Sequence, residues 1–281
     1  MRRGGGTPAR EAIVSAETAI AAAGSETARL DAELLVAHAL GFTRERLWTE
    51  PGASVEGAAV RRLQDAVRRR AFAREPVAYI VGRRAFRQIE LASDPRALVP
   101  RPETELLVEV GLELPAGARV LDVGTGSGAI ALALADERPD LHVTGSDVSA
   151  EALALARENG LRLGLDVAWL RSDLLAQVPD EHDAIVANLP YVRDGERASL
   201  APEILRHEPA VALFAGSDGL DAIRALLAQA GRRTRLRLVA LEHGAGQAAA
   251  VRALAQEAGF PRARSIADLA GIERVVVAER R

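Results

Sequence analysis

Apolar residues recur three and four positions apart through the first 75 residues, the spacing of helices with one buried face. Ala12, Ile13, Ala16, Ala19 and Ile20 form one such row, and Leu30, Leu34, Leu35 and the run from Ala37 to Leu40 form another. Gly24-Ser25 and Gly41-Phe42-Thr43 punctuate the rows as turns. A third helix is predicted from about Val55 to Ala73, with a basic face of Arg61, Arg62, Arg68, Arg69 and Arg70. Such a face is ordinarily a solvated surface, and the alternative is contact with an acidic partner.

Between Pro76 and Pro100 the period changes. Pro76, Gly82, Pro95 and Pro100 interrupt short runs such as Ala78-Tyr79-Ile80-Val81 and Gln88-Ile89-Glu90-Leu91, which predicts a β-hairpin and connector at a domain boundary. Beyond Arg101, strands alternate with helices. Strands are predicted at Arg119–Val123, His142–Ser146, Val167–Leu170, Ala184–Ala187, Leu236–Leu241 and Arg274–Ala278, with helices such as Ala129–Glu137, Ala150–Leu163 and Ala245–Ala258 between several of them. That alternation implies βαβ units, hence a mostly parallel sheet with helices on both faces. The expected organisation is a helical domain over residues 1–75, a hairpin linker over 76–100 and an α/β domain over 101–281.

Composition narrows the chemistry. With 281 residues and 48% hydrophobic positions the chain is long enough for two domains, and a net charge of −3 creates no global field towards a nucleic-acid backbone. There is no cysteine, so disulfides, thiolate metal sites and a nucleophilic thiol are excluded, and the five histidines show no ligand spacing. No metal is expected. The opening Met1-Arg2-Arg3-Gly4-Gly5-Gly6 lacks the apolar stretch of a signal peptide, and no apolar run approaches the roughly 20 residues that span a bilayer. The cytoplasm is the expected location.

Two stretches carry candidate chemistry. In the first, the strand Val120-Leu121-Asp122-Val123 runs into Gly124-Thr125-Gly126-Ser127-Gly128 and then a helix. Missing β-carbons let a ligand touch the backbone there, and the helix start offers free N–H groups. Such a turn suits a dinucleotide as well as S-adenosyl-L-methionine. Asp147 ends the next strand about 20 residues on, where a carboxylate can bind ribose hydroxyls, so a nucleoside ligand is expected. In the second stretch, the strand ending at Ala187 leads into Asn188-Leu189-Pro190-Tyr191. Ligands of open α/β sheets lie outside the carboxyl ends of the strands, so this loop is expected to face the cofactor. The Asn188 side-chain carbonyl and the main-chain carbonyl of Leu189 can each accept an N–H from a planar amide or amine. Pro190 limits loop movement and Tyr191 offers a flat face.

An Asn-x-Pro-aromatic loop resembles that of methyltransferases acting on planar NH2 groups. Several blocks resemble, in order, one bacterial family, which methylates the glutamine of the Gly-Gly-Gln motif in peptide chain release factors. They are Pro76–Gly82 with Phe86, Leu98–Glu105, Glu208-Pro209 with Ala212–Phe214 and Asp218–Leu220, Leu241–Gly244, and Asp268–Gly271. The resemblance spans about residues 25 to 279. It implies a Rossmann-like class I methyltransferase fold with a mostly parallel seven-stranded sheet and a small N-terminal helical domain that grips the release factor. S-adenosyl-L-methionine would be bound by Gly124, Thr125, Gly126, Ser127, Gly128, Asp147 and Asp173, with Leu174 against the adenine and Asn188 beside the cofactor. The glutamine amide would be held by Asn188, Leu189, Pro190 and Tyr191, with Phe86, Arg101 and Glu103 near it. One departure stands out: the family usually has Pro where this chain has Leu189. Asn-Leu-Pro-Tyr is the spelling of ribosomal RNA adenine dimethyltransferases, so N6-adenine methylation of RNA or DNA is the alternative reading. A third is a cofactor-binding scaffold without catalysis.

Overall fold

The computed structural model describes residues 6–280; most of the basic opening stretch lies outside them. Two compact units divide the chain: one runs up to Gly82 and includes Ala201–His207, and the other holds Arg83–Leu200 and the chain from Glu208 onward.

In the first unit, β1 (Thr7–Pro8) pairs with β2 (Ser54–Val55), and the helices are α1 (Ala9–Ala22), α2 (Ala28–Leu40), α3 (Arg44–Thr49), α4 (Ala58–Arg68) and α5 (Val77–Val81). Ile13, Ile20, Leu35, Val36, Leu47 and Ile80 meet in its core. The arginine face departs from expectation. Arg61, Arg62 and Arg68 are exposed, but Arg70 is 4% exposed and its Nε lies 2.7 Å from Asp31 Oδ2. A single π-helical turn, Arg69–Ala73, follows α4. Arg70 stands four residues after buried Ala66 and eleven after buried Ala59, so helical spacing puts it on the buried side of the helix. There Arg70 and Arg74 also bind Glu203, at 3.1 and 2.6 Å, on the short helix Pro202–His207. The acidic partners of these arginines thus belong to the same unit.

Ala78–Val81 forms most of α5 rather than the expected strand. Pro76 precedes the helix, its carbonyl accepting from the N–H groups of Tyr79 and Ile80, and Gly82 ends it at φ +77°. The hairpin lies one element later, in β3 (Arg83–Phe86) and β4 (Ile89–Ala92).

The second unit contains α6 (Glu105–Leu112), β5 (Arg119–Val123), α7 (Ala129–Glu137), β6 (His142–Asp147), α8 (Ala150–Leu163), β7 (Ala168–Arg171) and β8 (Ala184–Ala187). After the Pro202–His207 helix, which is α9 in chain order, come α10 (Asp221–Ala230), β9 (Leu238–Glu242), α11 (Ala248–Glu257), β10 (Arg262–Ala267) and β11 (Glu273–Glu279). Seven strands make one sheet in the order β10-β11-β9-β8-β5-β6-β7, and β11 alone runs against the rest. Alternate strand residues feed two cores. Val120, Val186, Ala240 and Val277 join Leu107, Leu132 and Leu134 on one face, while Leu121, Ile185, Val239 and Val276 join Ile223, Leu227 and Val251 on the other. Burial on both faces explains why these strands read as unbroken apolar runs. The sequence reading named six of the seven strands. It passed over β10, an edge strand carrying Arg262 and Arg264 that pairs only with β11. Among the described residues no helix is long and apolar enough to cross a membrane.

Candidate active site

The chain order reverses direction in the sheet between β5 and β8, so the loops leaving these neighbouring parallel strands open onto one crevice. A cavity of about 400 Å³ lies there, lined among others by Gly124, Gly126, Asp147, Asp173, Asn188 and Pro190.

The glycine turn is held through its main-chain N–H groups, which donate to the end of β6. Gly124 and Thr125 both donate to the Ser146 carbonyl, at 2.8 and 2.9 Å, and Gly126 donates to Asp147 Oδ2 at 2.9 Å. Gly124, Gly126 and Gly128 have φ of +73°, +57° and +84°, in the left-handed region that favours glycine. A β-carbon on Gly128 would lie 2.9 Å from the Trp169 ring, whereas one on Gly126 would meet only Ala97, at 3.8 Å. Beneath the turn, Asp122 is fully buried and accepts from Thr125 Oγ1 at 2.6 Å and from the Ala131 N–H at 3.2 Å. Burial pushes its carboxyl up to about 7 against those hydrogen bonds. Asp147 is raised by burial as well. It does not cap α8, because Ser149 does so by accepting from the Ala152 N–H. Its second oxygen accepts from the Ser149 N–H at 2.9 Å.

The tetrapeptide after β8 is held by side chains from other elements. Asn188 Nδ2 donates to Thr104 Oγ1 at 2.9 Å, and that hydroxyl donates to Glu242 Oε2 at 2.7 Å. The Tyr191 hydroxyl donates to Glu242 Oε1 at 3.2 Å, and Gln247 Nε2 donates to the Tyr191 carbonyl at 3.1 Å. Burial, with the Glu242 carboxylate beside it, holds the Tyr191 phenol above its usual range, so it stays a donor. At the rim, Arg101 Nη2 reaches both oxygens of Glu208, at 2.6 and 2.8 Å.

Comparison with known proteins bears on what this cavity serves. Residues 11–82 match the family described as PrmC N-terminal domain, and residues 102–217 match the methyltransferase small domain. A release factor glutamine methyltransferase of Cereibacter sphaeroides is 43% identical over 276 residues, covering 96% of this chain and 98% of its own. The chain belongs to the release factor glutamine methyltransferase family. Another member, from Neisseria gonorrhoeae, is 40% identical over 260 residues, 90% of this chain and 94% of its own. Among solved structures, a methyltransferase from Pyrococcus furiosus superposes with a TM-score of 0.53 at 20% identity, over 69% of this chain and 90% of that one. At that identity the likeness concerns the fold alone.

Of the residues that the family resemblance singled out, Gly124, Thr125, Gly126, Ser127, Asp147, Asp173, Leu174, Asn188, Leu189, Pro190 and Arg101 line the cavity. Four others do not. Gly128 packs on Trp169, Tyr191 turns its hydroxyl to Glu242, and Glu103 lies off the lining. Phe86 is a core residue, 2% exposed in the cluster that holds Leu107 and Leu134, so it offers no face to a substrate here. Leu174 has φ +48°, a left-handed conformation that is costly for leucine and that the Asp173 loop imposes at the cavity wall. Sequence reasoning gave no role to Thr104, Glu242 or Asp122. Thr104 and Glu242 stand inside blocks that carried the family resemblance, which is the one signal that pointed to them.

Proposed function

We propose that the protein transfers a methyl group from S-adenosyl-L-methionine to the side-chain amide nitrogen (N5) of the glutamine in the Gly-Gly-Gln motif of peptide chain release factors. The observation that carries this reading is the shared cavity: the glycine turn and Asn188 open onto one space from neighbouring strands. The lining suits the cofactor. Half-buried main chain borders the cavity at Gly124 and Gly126, a β-carbon on Gly126 would meet nothing closer than Ala97 at 3.8 Å, and two carboxylates, Asp147 and Asp173, share the wall with apolar Val148 and Leu174. Gly124 to Ser127 would hold the cofactor by main-chain contacts, Asp147 its ribose hydroxyls, and Asp173 with Leu174 its adenine. When bound, S-adenosyl-L-methionine supplies an electrophilic methyl group on a sulfonium.

The protein's part is positioning. Because Asn188 donates its Nδ2 to Thr104, its Oδ1 is left to accept an N–H from the glutamine amide. The main-chain carbonyl of Leu189 is a second acceptor, and Leu in place of Pro leaves that carbonyl intact. Hydrogen bonds to these acceptors favour a nitrogen that is losing its amide conjugation as the new N–C bond forms. Among the described residues, the carboxylates lining the cavity are Asp147 and Asp173, both assigned to the cofactor. The amide proton therefore passes to solvent with or after methyl transfer, without a dedicated base. The helical unit is assigned the grip on the release factor, and the cytoplasm, where translation runs, is the place of action.

Transfer of labelled methyl to purified release factor tests the reading. Label is expected on the Gly-Gly-Gln protein and not on a Gly-Gly-Ala variant. Cofactor binding without label on either, or label on RNA or DNA instead, would overturn it.

A further inference from the structure

The two ends of the Asn188 amide are chemical opposites, and the proposed reaction uses only one. A substrate N–H needs the carbonyl oxygen, while the NH2 end would present a donor to a donor. Nothing within the tetrapeptide makes that choice. A buried chain of hydrogen bonds does. Glu242 is 2% exposed at the end of β9, and its Oε2 accepts the Thr104 hydroxyl at 2.7 Å. A hydroxyl has one proton to give. With that proton committed to Glu242, Thr104 Oγ1 shows Asn188 only lone pairs, and the atom it meets at 2.9 Å is Nδ2. Tyr191 donates to the remaining carboxylate oxygen, so donors occupy both.

Resting on the functional reading above, we propose that Glu242 is a positioning residue for methyl transfer, acting through Thr104 to turn Asn188 Oδ1 towards the acceptor nitrogen. Protonation of Glu242 reverses the relay. The carboxyl then donates to Thr104, the threonine proton turns to Asn188, and the amide rotates to present Nδ2 to the cavity. Burial pushes the Glu242 carboxyl up to about 7, while the hydrogen bonds from Thr104 and Tyr191 hold it down. The other charges acting on it are Glu103, which raises it, and Arg274 on β11, which lowers it. The productive orientation is therefore the one populated above the Glu242 transition.

Thr104→Val keeps the side-chain shape and removes the hydroxyl. Its kcat is expected to fall on the order of tenfold to a hundredfold, with little change in KM for the release factor or in cofactor affinity, and Thr104→Ser should restore most of it. Wild-type kcat should rise with pH through the Glu242 transition, and Glu242→Gln should lose that rise. A Thr104→Val enzyme with wild-type kcat, a serine variant no better than valine, or a Glu242→Gln profile that still follows the wild type would overturn the proposal. A substrate-free readout separates this from the functional reading. Above the transition, NMR should show the Asn188 side-chain NH2 protons close to the Thr104 methyl, and below it that proximity should disappear. Absence of the contact above the transition overturns the proposal. Wild-type inactivity towards Gly-Gly-Gln with the contact present overturns only the reading of substrate.

Discussion

The glycine turn after β5 is fixed by its own neighbourhood, whereas the tetrapeptide after β8 is fixed from a distance. Gly126 leans on Asp147, 21 residues away, and Asn159 of α8, 32 residues from Ser127, donates its Nδ2 to the Ser127 carbonyl at 3.0 Å, so the turn is held from the strand and helix that follow it. Asn188 leans on Thr104, 84 residues away, and Tyr191 on Glu242, 51 residues away. A main-chain turn can hold a cofactor in many sequence contexts. Orienting one amide needs a set of side chains whose donors and acceptors agree, and that set must be assembled from three elements. The difference teaches that binding and orientation are separable here, and substitutions should separate them.

The largest effect is expected at Asn188. Asn188→Ala should lower kcat by about 10²–10³-fold, the usual consequence of losing one oriented hydrogen bond at a reacting centre, with cofactor affinity by calorimetry unchanged. Equal losses in both would break the division between the loops. Gly126→Ala should do the converse. A β-carbon at φ +57° is opposed by about 1–2 kcal/mol; the free turn can relieve this by leaving the left-handed region and must return to it to bind, so cofactor binding should weaken by up to about tenfold while kcat at saturation stays near wild type. A fall in kcat alone would reverse the assignment. A smaller change is expected from Leu189→Pro, the family's usual residue. Leu189 is 5% exposed, packed near Gly124, and the exchange of that packing for a stiffer loop should keep kcat within about fivefold of wild type.

A separate effect concerns stability rather than rate. The folded-state carboxyl of Asp122 is raised to about 7 by burial, above the roughly 3.9 of an unfolded chain. Its contribution is therefore fully present below about pH 4 and lost as pH rises through about 7. Asp122→Asn should reduce the fall in urea midpoint across that window, with Glu242, which shifts in the same direction, keeping some of the slope. Identical slopes in the two proteins would contradict the placement of Asp122.

What the sequence revealed and what it hid follow the same division. Strands buried on both faces announce themselves as apolar runs, and β5, β6 and β8 were legible to within a residue at each end. Glycines at positive φ before a helix were legible for the same local reason. Ala78-Tyr79-Ile80-Val81 misled because its residues favour strands, yet Pro76 and Gly82 close it into a short helix. Edge strand β10 was hidden by alternating arginines, and Arg70 by its charge, since its ion pair with Asp31 comes from a residue 39 positions away. Thr104 and Glu242 stand 138 residues apart, and nothing in either local pattern says that they touch. Phe86 was assigned to the substrate through the family resemblance, while its burial belongs to the core it fills.

The most direct test of the central claim is a crystal structure with S-adenosylhomocysteine and a Gly-Gly-Gln peptide. The account expects the glutamine nitrogen within about 3 Å of Asn188 Oδ1, with Nδ2 still on Thr104 and the nucleoside against Asp147 and Asp173. A peptide whose glutamine lies outside this cavity, or an Asn188 whose Nδ2 faces the amide, would contradict it.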